Sequence, residues 1–103
     1  MQNTRISYLY RDACNYKVNN DVVVTGVFIE NEILDIIDTL DSGEFFVPCM
    51  IGFPETRFET KTEYDHPYFE LRASGFEKTD AAPTISMSAK DVYAAFIETA
   101  GNW

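Results

Sequence analysis

The spacing of hydrophobic residues changes along the chain and separates strands from helices. Arg5–Tyr10 alternates loosely and Asp21–Phe28 is rich in β-branched residues, so both segments predict strands of one hairpin. The polar stretch between them carries Asn19 and Asn20, a turn signal. Gly26, inside the second strand, indicates a bulge or a close backbone approach.

Two later segments show helical spacing. Glu30–Leu40 places isoleucines and a leucine at i, i+3, i+4 and i+7, which predicts one apolar stripe, and Gly43 stands where a left-handed C-cap would lie. The second helix begins after Ser88, an N-cap residue, and Asp91 completes an acidic form of the capping box. Its buried stripe is expected to contain Ala89, Val92, Phe96, Ile97 and Ala100.

The segments between the helices are shorter and less regular. Glu44–Val47 predicts a short strand, and Cys49–Phe58 a loop with one helical turn. Tyr68–Ala73 predicts another strand, which Gly75 would turn back onto a short partner at Phe76–Lys78. The order β-β-α-β-β-(β)-α predicts an α+β fold, with a mainly antiparallel sheet of four or five strands and two helices packed on one face.

Composition favours one folded domain over residues 1–103. With 46% hydrophobic and 15% aromatic residues, the chain can bury a core. No apolar run approaches the roughly 18 residues needed to span a membrane. The N-terminus lacks the pattern of a signal peptide, so we expect a cytoplasmic protein. Cys14 and Cys49 are expected to be reduced thiols, and the alternative is a redox pair or a metal site.

The balance of charge narrows the classes of partner. Seventeen acidic against eight basic residues give a net charge of −9. Direct binding of nucleic acid or of an anionic membrane is disfavoured, because both need clustered Lys and Arg. The expected partner is a basic protein surface, such as that of a nucleic-acid-binding protein.

The acidic residues concentrate in the first half of the chain. Eight lie between Val18 and Thr56 without any Lys or Arg, a local charge of −8. On a helical wheel four of them share the side opposite the apolar stripe; this acidic face consists of Glu30, Asp35, Asp38 and Asp41. Glu32 lies at its edge, and Glu44 flanks it.

Two interpretations of the acidic face remain open. A row of carboxylates can occupy a protein groove built for the closely spaced phosphates of a nucleic acid. The alternative is a solvated helix surface that only confers solubility. Because like charges along a helix repel and no lysine offsets them, the row favours binding.

Other sites are less well supported by the sequence. Phe53 and Phe58, in the loop 49–58, are alternative partner contacts of a general interaction module, although most of the aromatic residues must be core. A small enzyme using His66, the only histidine, is a third hypothesis, but no catalytic, metal or cofactor motif accompanies it. We therefore expect no enzyme activity and no cofactor. An exposed strand edge would permit a homodimer.

Three stretches of the sequence stand out together: Ile6–Val18 (ISYLYRDACNYKV), Phe46–Phe58 (FVPCMIGFPETRF) and Thr79–Thr84 (TDAAPT). They resemble a group of small, acidic, uncharacterised proteins from phages and mobile elements of Firmicutes-type bacteria. The resemblance covers most of the chain and assigns no functional residue. It implies a counter-defence role, such as an anti-CRISPR or anti-restriction protein, and this is an analogy.

Overall fold

A computed structural model describes residues 2–11, 17–54 and 68–103. Its strands are β1 Asn3–Arg11, β2 Lys17–Thr25, β3 Phe45–Phe46 and β4 Phe69–Thr79, its helices are α1 Glu30–Thr39 and α2 Ala89–Thr99, and Pro48–Ile51 forms a 3₁₀ turn. The strands pair antiparallel in the order β2-β1-β4-β3. This confirms the predicted α+β class and antiparallel sheet.

Alternation along the central strands sorts side chains between the two faces of the sheet. Ile6, Tyr8 and Tyr10 of β1 are buried, and Val22 and Val24 of β2 extend the same inner face. Both helices cover this face, and their buried residues Ile36, Val92 and Phe96 join the strands in one core. The opposite face of the sheet carries the alternate residues and is called the outer face below.

Both helices begin with a side-chain cap. Ser88 Oγ accepts a hydrogen bond from the Asp91 N–H at 3.2 Å, and Asp91 Oδ2 accepts one from the Ser88 N–H at 3.1 Å, as predicted. At α1 the N-cap residue is Ile29, which has no acceptor of its own. The Glu32 carboxylate instead accepts from the Ile29 N–H at 3.0 Å, which explains why the sequence signals this helix start poorly.

Removing the cap of α2 should cost a modest amount of stability. Because Ser88 Oγ satisfies an otherwise unpaired N–H, we expect Ser88→Ala to lower the free energy of unfolding by about 1 kcal/mol. Urea denaturation followed by circular dichroism would measure the loss. Ser86→Ala, in the exposed loop before the helix, is the matched control, and an equal loss in both variants would contradict the cap.

Several sequence predictions about turns were wrong. Asn19 and Asn20 belong to β2, where Asn20 points to the inner face and is buried. Gly75 does not turn the chain back: β4 runs through it, and Phe76–Lys78 continues the same strand. The predicted fifth strand is therefore part of β4, and the sheet of the described residues has four strands.

The end of α1 also differs from its prediction. The helix stops at Thr39 because the chain at Leu40 is extended, so Asp41 lies beyond the helix. Asp41 and Phe45 instead exchange two backbone hydrogen bonds of 2.8 and 3.0 Å across a tight turn. Gly43 has a left-handed φ of 69°, but it serves this turn and not the helix cap.

Trp103 folds back onto the body of the protein. Its indole Nε1 donates a hydrogen bond of 2.6 Å to the Thr39 carbonyl, one of the orphan acceptors at the end of α1. The ring packs against Phe46 and Phe96. Trp103 thus fastens α1 to α2. Within the described residues, neither helix has the length and apolar character that crossing a membrane would require.

Candidate functional site

Only some residues of the predicted acidic face form one exposed row in the structure. Glu30 and Asp38 are exposed and stand two i+4 steps apart, on the same side of the helix. Asp41 is also exposed, although it lies past the helix end. We call these three residues, Glu30, Asp38 and Asp41, the carboxylate row.

Asp35 and Glu32 have structural partners instead. Asp35 Oδ2 accepts a hydrogen bond of 2.8 Å from the Tyr93 hydroxyl of α2, so this side of α1 faces the neighbouring helix. The bond to Asp35, and its negative charge, raise the pKa of Tyr93, because the carboxylate disfavours a phenolate beside it. Glu32 caps the helix start. Both residues are therefore occupied in holding α1.

The two acids after the helix differ from each other. Asp41 lines a shallow cavity of about 240 Å³ together with Asp38 and Trp103. Glu44 is half-buried, and its carboxylate lies 3.8 Å from the Arg72 guanidinium. Glu44 therefore faces β4 and contributes less negative potential to the α1 surface than the sequence predicted.

No ion pair between described residues reaches the carboxylate row. The ion pairs between described residues join Arg5 to Asp21, Arg11 to Glu70, and Arg72 to both Glu44 and Glu70. All of these cations lie on the strands, in β1 and β4. The carboxylate row therefore has no direct ion-pair partner among the described residues.

An exposed leucine lies within the carboxylate row, and sequence reasoning missed it. Leu34 is 50% exposed and stands four residues after Glu30 and four before Asp38, which places it between them. Ile29 and Val27, just before the helix, are 63% and 42% exposed. The helical wheel contained this signal, since Leu34 falls outside the apolar stripe that Ile33, Ile36 and Ile37 define.

Phe53, the alternative partner contact predicted from the sequence, does not lie on the surface. Phe53 is 3% exposed, and its ring lies 5.7 Å from that of Tyr8 and 6.2 Å from that of Phe96, so it belongs to the core. The loop carries it inward because Gly52, with a left-handed φ of 84°, reverses the chain after the 3₁₀ turn. On that turn Cys49 is exposed. Phe58, His66 and Cys14 lie outside the described residues.

Two further possibilities raised by the sequence are a metal site and an exposed strand edge that would permit a homodimer. In residues 2–11, 17–54 and 68–103 no three His, Cys, Asp or Glu side chains are placed to hold a metal ion. β2 is an edge strand, but Thr84 covers part of it: its N–H donates to the Val23 carbonyl at 2.8 Å, and its hydroxyl accepts from the Val23 N–H at 2.8 Å.

Comparison of this chain with protein-family models, with curated proteins and with solved structures finds no match.

Proposed function

We propose that this protein binds a basic, nucleic-acid-binding protein of a bacterial defence system, of the CRISPR-effector or restriction type, and inhibits it by occupying its groove. The observation that supports the proposal most is the carboxylate row, which no ion pair of the described residues neutralises. The counter-defence role that the sequence resemblance implies would involve the same class of partner.

The dimensions of the row suit such a groove. Glu30 and Asp38 are eight residues apart, which corresponds to roughly 12 Å along a helix. Duplex DNA carries about one charge per 1.7 Å of axis, so the row would replace a few phosphates of one short segment. Carboxylates in this arrangement steer a basic partner in solution and speed its association at low salt.

Leu34 adds a component that a nucleic acid lacks. Charged rims give speed and selectivity of association, whereas apolar residues at the centre of an interface resist dissociation. A half-exposed leucine between two carboxylates supplies such a centre. The surface therefore fits a basic protein groove that has a small apolar depression within it.

A second candidate function follows from the same apolar residues. Val27, Ile29 and Leu34 together would suit a general protein-interaction module that docks by hydrophobic burial. The two candidates differ in their response to salt. Binding through the row should weaken steeply as ionic strength rises, whereas hydrophobic docking should hardly change.

The test is inhibition of DNA cleavage by a panel of purified CRISPR effector nucleases and restriction endonucleases. We expect at least one enzyme to be inhibited, and the inhibition to weaken between about 50 and 500 mM salt as screening grows. Reversing the row to Lys at Glu30, Asp38 and Asp41 should raise the inhibitory concentration at least tenfold, because each contact becomes repulsive.

A second triple variant separates the position of the charge from its amount. Glu77, Asp80 and Glu98 are exposed acids outside α1, and reversing them to Lys changes the net charge equally. This control should retain inhibition. No inhibition across the panel, or equal losses in the two triple variants, would overturn the proposal. A loss on Leu34→Ala alone, independent of salt, would favour the interaction module.

A further inference from the structure

The outer face of the sheet carries a second feature, separate from α1. On β1 the residues alternate with the buried ones, so Ser7, Leu9 and Arg11 lie on this face. Leu9 pairs with Asn19 of β2 and with Glu70 of β4, which places all three in one row across the sheet. The helices cover the other face, so this row is not part of the proposed α1 interface.

An irregularity in β4 opens a depression beside that row. Ile6 pairs with Phe76, but Tyr8 pairs with Leu71, so the four residues 72–75 stand opposite Ser7 alone. The strand bulges there, and Gly75 passes so close that a Cβ on it would lie 2.5 Å from the Ser7 carbonyl oxygen. Bulges of this kind often lie next to functional sites, because they redirect side chains.

The resulting cavity has a volume of about 350 Å³ and is open to solvent. Its size lies at the lower end of the range for small-molecule sites, about 300–1,000 Å³, and is too small for a groove that holds a polymer. Besides hydroxyl and amide groups of Ser7, Ser74 and Asn19, it is lined by Arg11, Lys17 and Arg72.

The charge of this cavity is opposite to that of the whole chain. Among the described residues, three cations and the acid Glu70 line the cavity, and Glu44 lies beside Arg72, so the local charge is +1 in a protein with a net charge of −9. Half of the six Lys and Arg residues that the structure describes line it. Grouping them in one cavity, in a chain with so many acids, favours an anionic ligand.

Two of the cations are placed to receive such a ligand. Arg72 is 66% exposed, and its guanidinium lies 3.8 Å from Glu44 and 3.9 Å from Glu70. Both distances are too long for hydrogen bonds, so the guanidinium can turn toward an anion. Lys17 is exposed at the start of β2. Arg11 instead donates a 2.9 Å hydrogen bond to Glu70, and this pair forms a fixed wall of the cavity.

We propose that this cavity binds the phosphate group of a small phosphate monoester. An Arg fork and a Lys charge are the usual partners of phosphate oxygens, and Ser hydroxyls add neutral hydrogen bonds. Leu9, half-buried at the centre of the row, offers an apolar surface to the organic part. The ligand would sit on the outer face while α1 remains available, so this site and the α1 surface function independently.

The test is a titration of the ¹⁵N-labelled protein, followed by NMR, with inorganic phosphate, glucose 6-phosphate and adenosine monophosphate in low salt. We expect saturable shifts confined to amides around the cavity, such as those of Ser7, Asn19 and Gly75, with a Kd of about 1 mM or tighter. Tighter binding of one ester than of phosphate would identify the organic part that is recognised, and equal affinity would identify phosphate alone. Glucose and acetate are the negative controls.

Matched variants locate the contacts. Lys17→Gln and Arg72→Gln should each weaken the binding at least fivefold, since each removes a charged partner of the phosphate. Lys90→Gln removes the same charge from an exposed position on α2 and should leave the affinity unchanged. Absent or non-saturating shifts, shifts spread over the whole surface, equal binding of acetate, or equal losses in all three variants would overturn the proposal.

Discussion

Replacing Phe46 with alanine is expected to lower the free energy of unfolding by about 4 kcal/mol. The side chain is fully buried, and its ring lies 5.6 Å from those of Tyr8 and Phe96 and 5.9 Å from that of Trp103. It therefore joins the sheet, α2 and the C-terminus at one point. Truncation would leave a cavity that β1, α2 and Trp103 border and cannot easily close.

The adjacent residue provides the control for this prediction. Phe45 lies on the other face of the two-residue strand β3, is half-buried, and makes an edge contact with Tyr68 at 6.5 Å. Phe45→Ala should cost about 1.5 kcal/mol, because it loses less buried area. Urea denaturation of both variants measures the two values. Similar losses would show that the core does not converge on Phe46.

The sequence allowed the elements with strong periodicity or chemical caps to be predicted. α2 follows from Ser88 and Asp91, whose side chains form the capping box that their spacing indicates. α1 follows from its isoleucine spacing, although it ends at Thr39 because the backbone at Leu40 is extended. Local signals thus define an element well when its ends are also determined locally.

The failures arise where tertiary contacts decide the conformation. Glycine is a residue type that favours turns, so Gly75 predicted one. Pairing with β1 on both sides keeps the chain in the sheet, and β4 forms a bulge there instead. Asn19 and Asn20 are turn formers that pairing with β1 holds in β2. Phe53 lies in a loop whose sequence predicts a surface position, yet its ring is buried in the core.

The candidate site was predictable in charge but not in its contacts. The carboxylates of α1 could be read from helical spacing, yet nothing local shows that Asp35 meets Tyr93 or that Glu44 faces Arg72. Those partners come from segments 58 and 28 residues away along the chain, respectively. The cavity on the outer face was also hidden, because it exists only once β1, β2 and the bulge of β4 lie side by side.

Substituting alanine for Gly75 is expected to destabilise the protein by about 3 kcal/mol. The added Cβ would meet the Ser7 carbonyl oxygen at 2.5 Å and the Arg72 carbonyl oxygen at 3.1 Å. Both are backbone atoms, so the clash cannot be relieved by a change of side-chain rotamer. The backbone of β1 or β4 must shift instead. Alanine also restricts the unfolded chain, which alone would stabilise by about 0.4–1 kcal/mol, but the clash is larger.

Gly43→Ala distinguishes this clash from a general cost of replacing glycine. At Gly43 the φ of 69° disfavours a side chain, but no atom lies within 4 Å of an added Cβ. Its loss should therefore be only about 1 kcal/mol, the cost of the left-handed backbone alone. Thermal unfolding of the two variants compares them directly. If Gly75→Ala proves no more harmful than Gly43→Ala, the close approach of β4 to Ser7, and with it the bulge that shapes the outer-face cavity, is not as described.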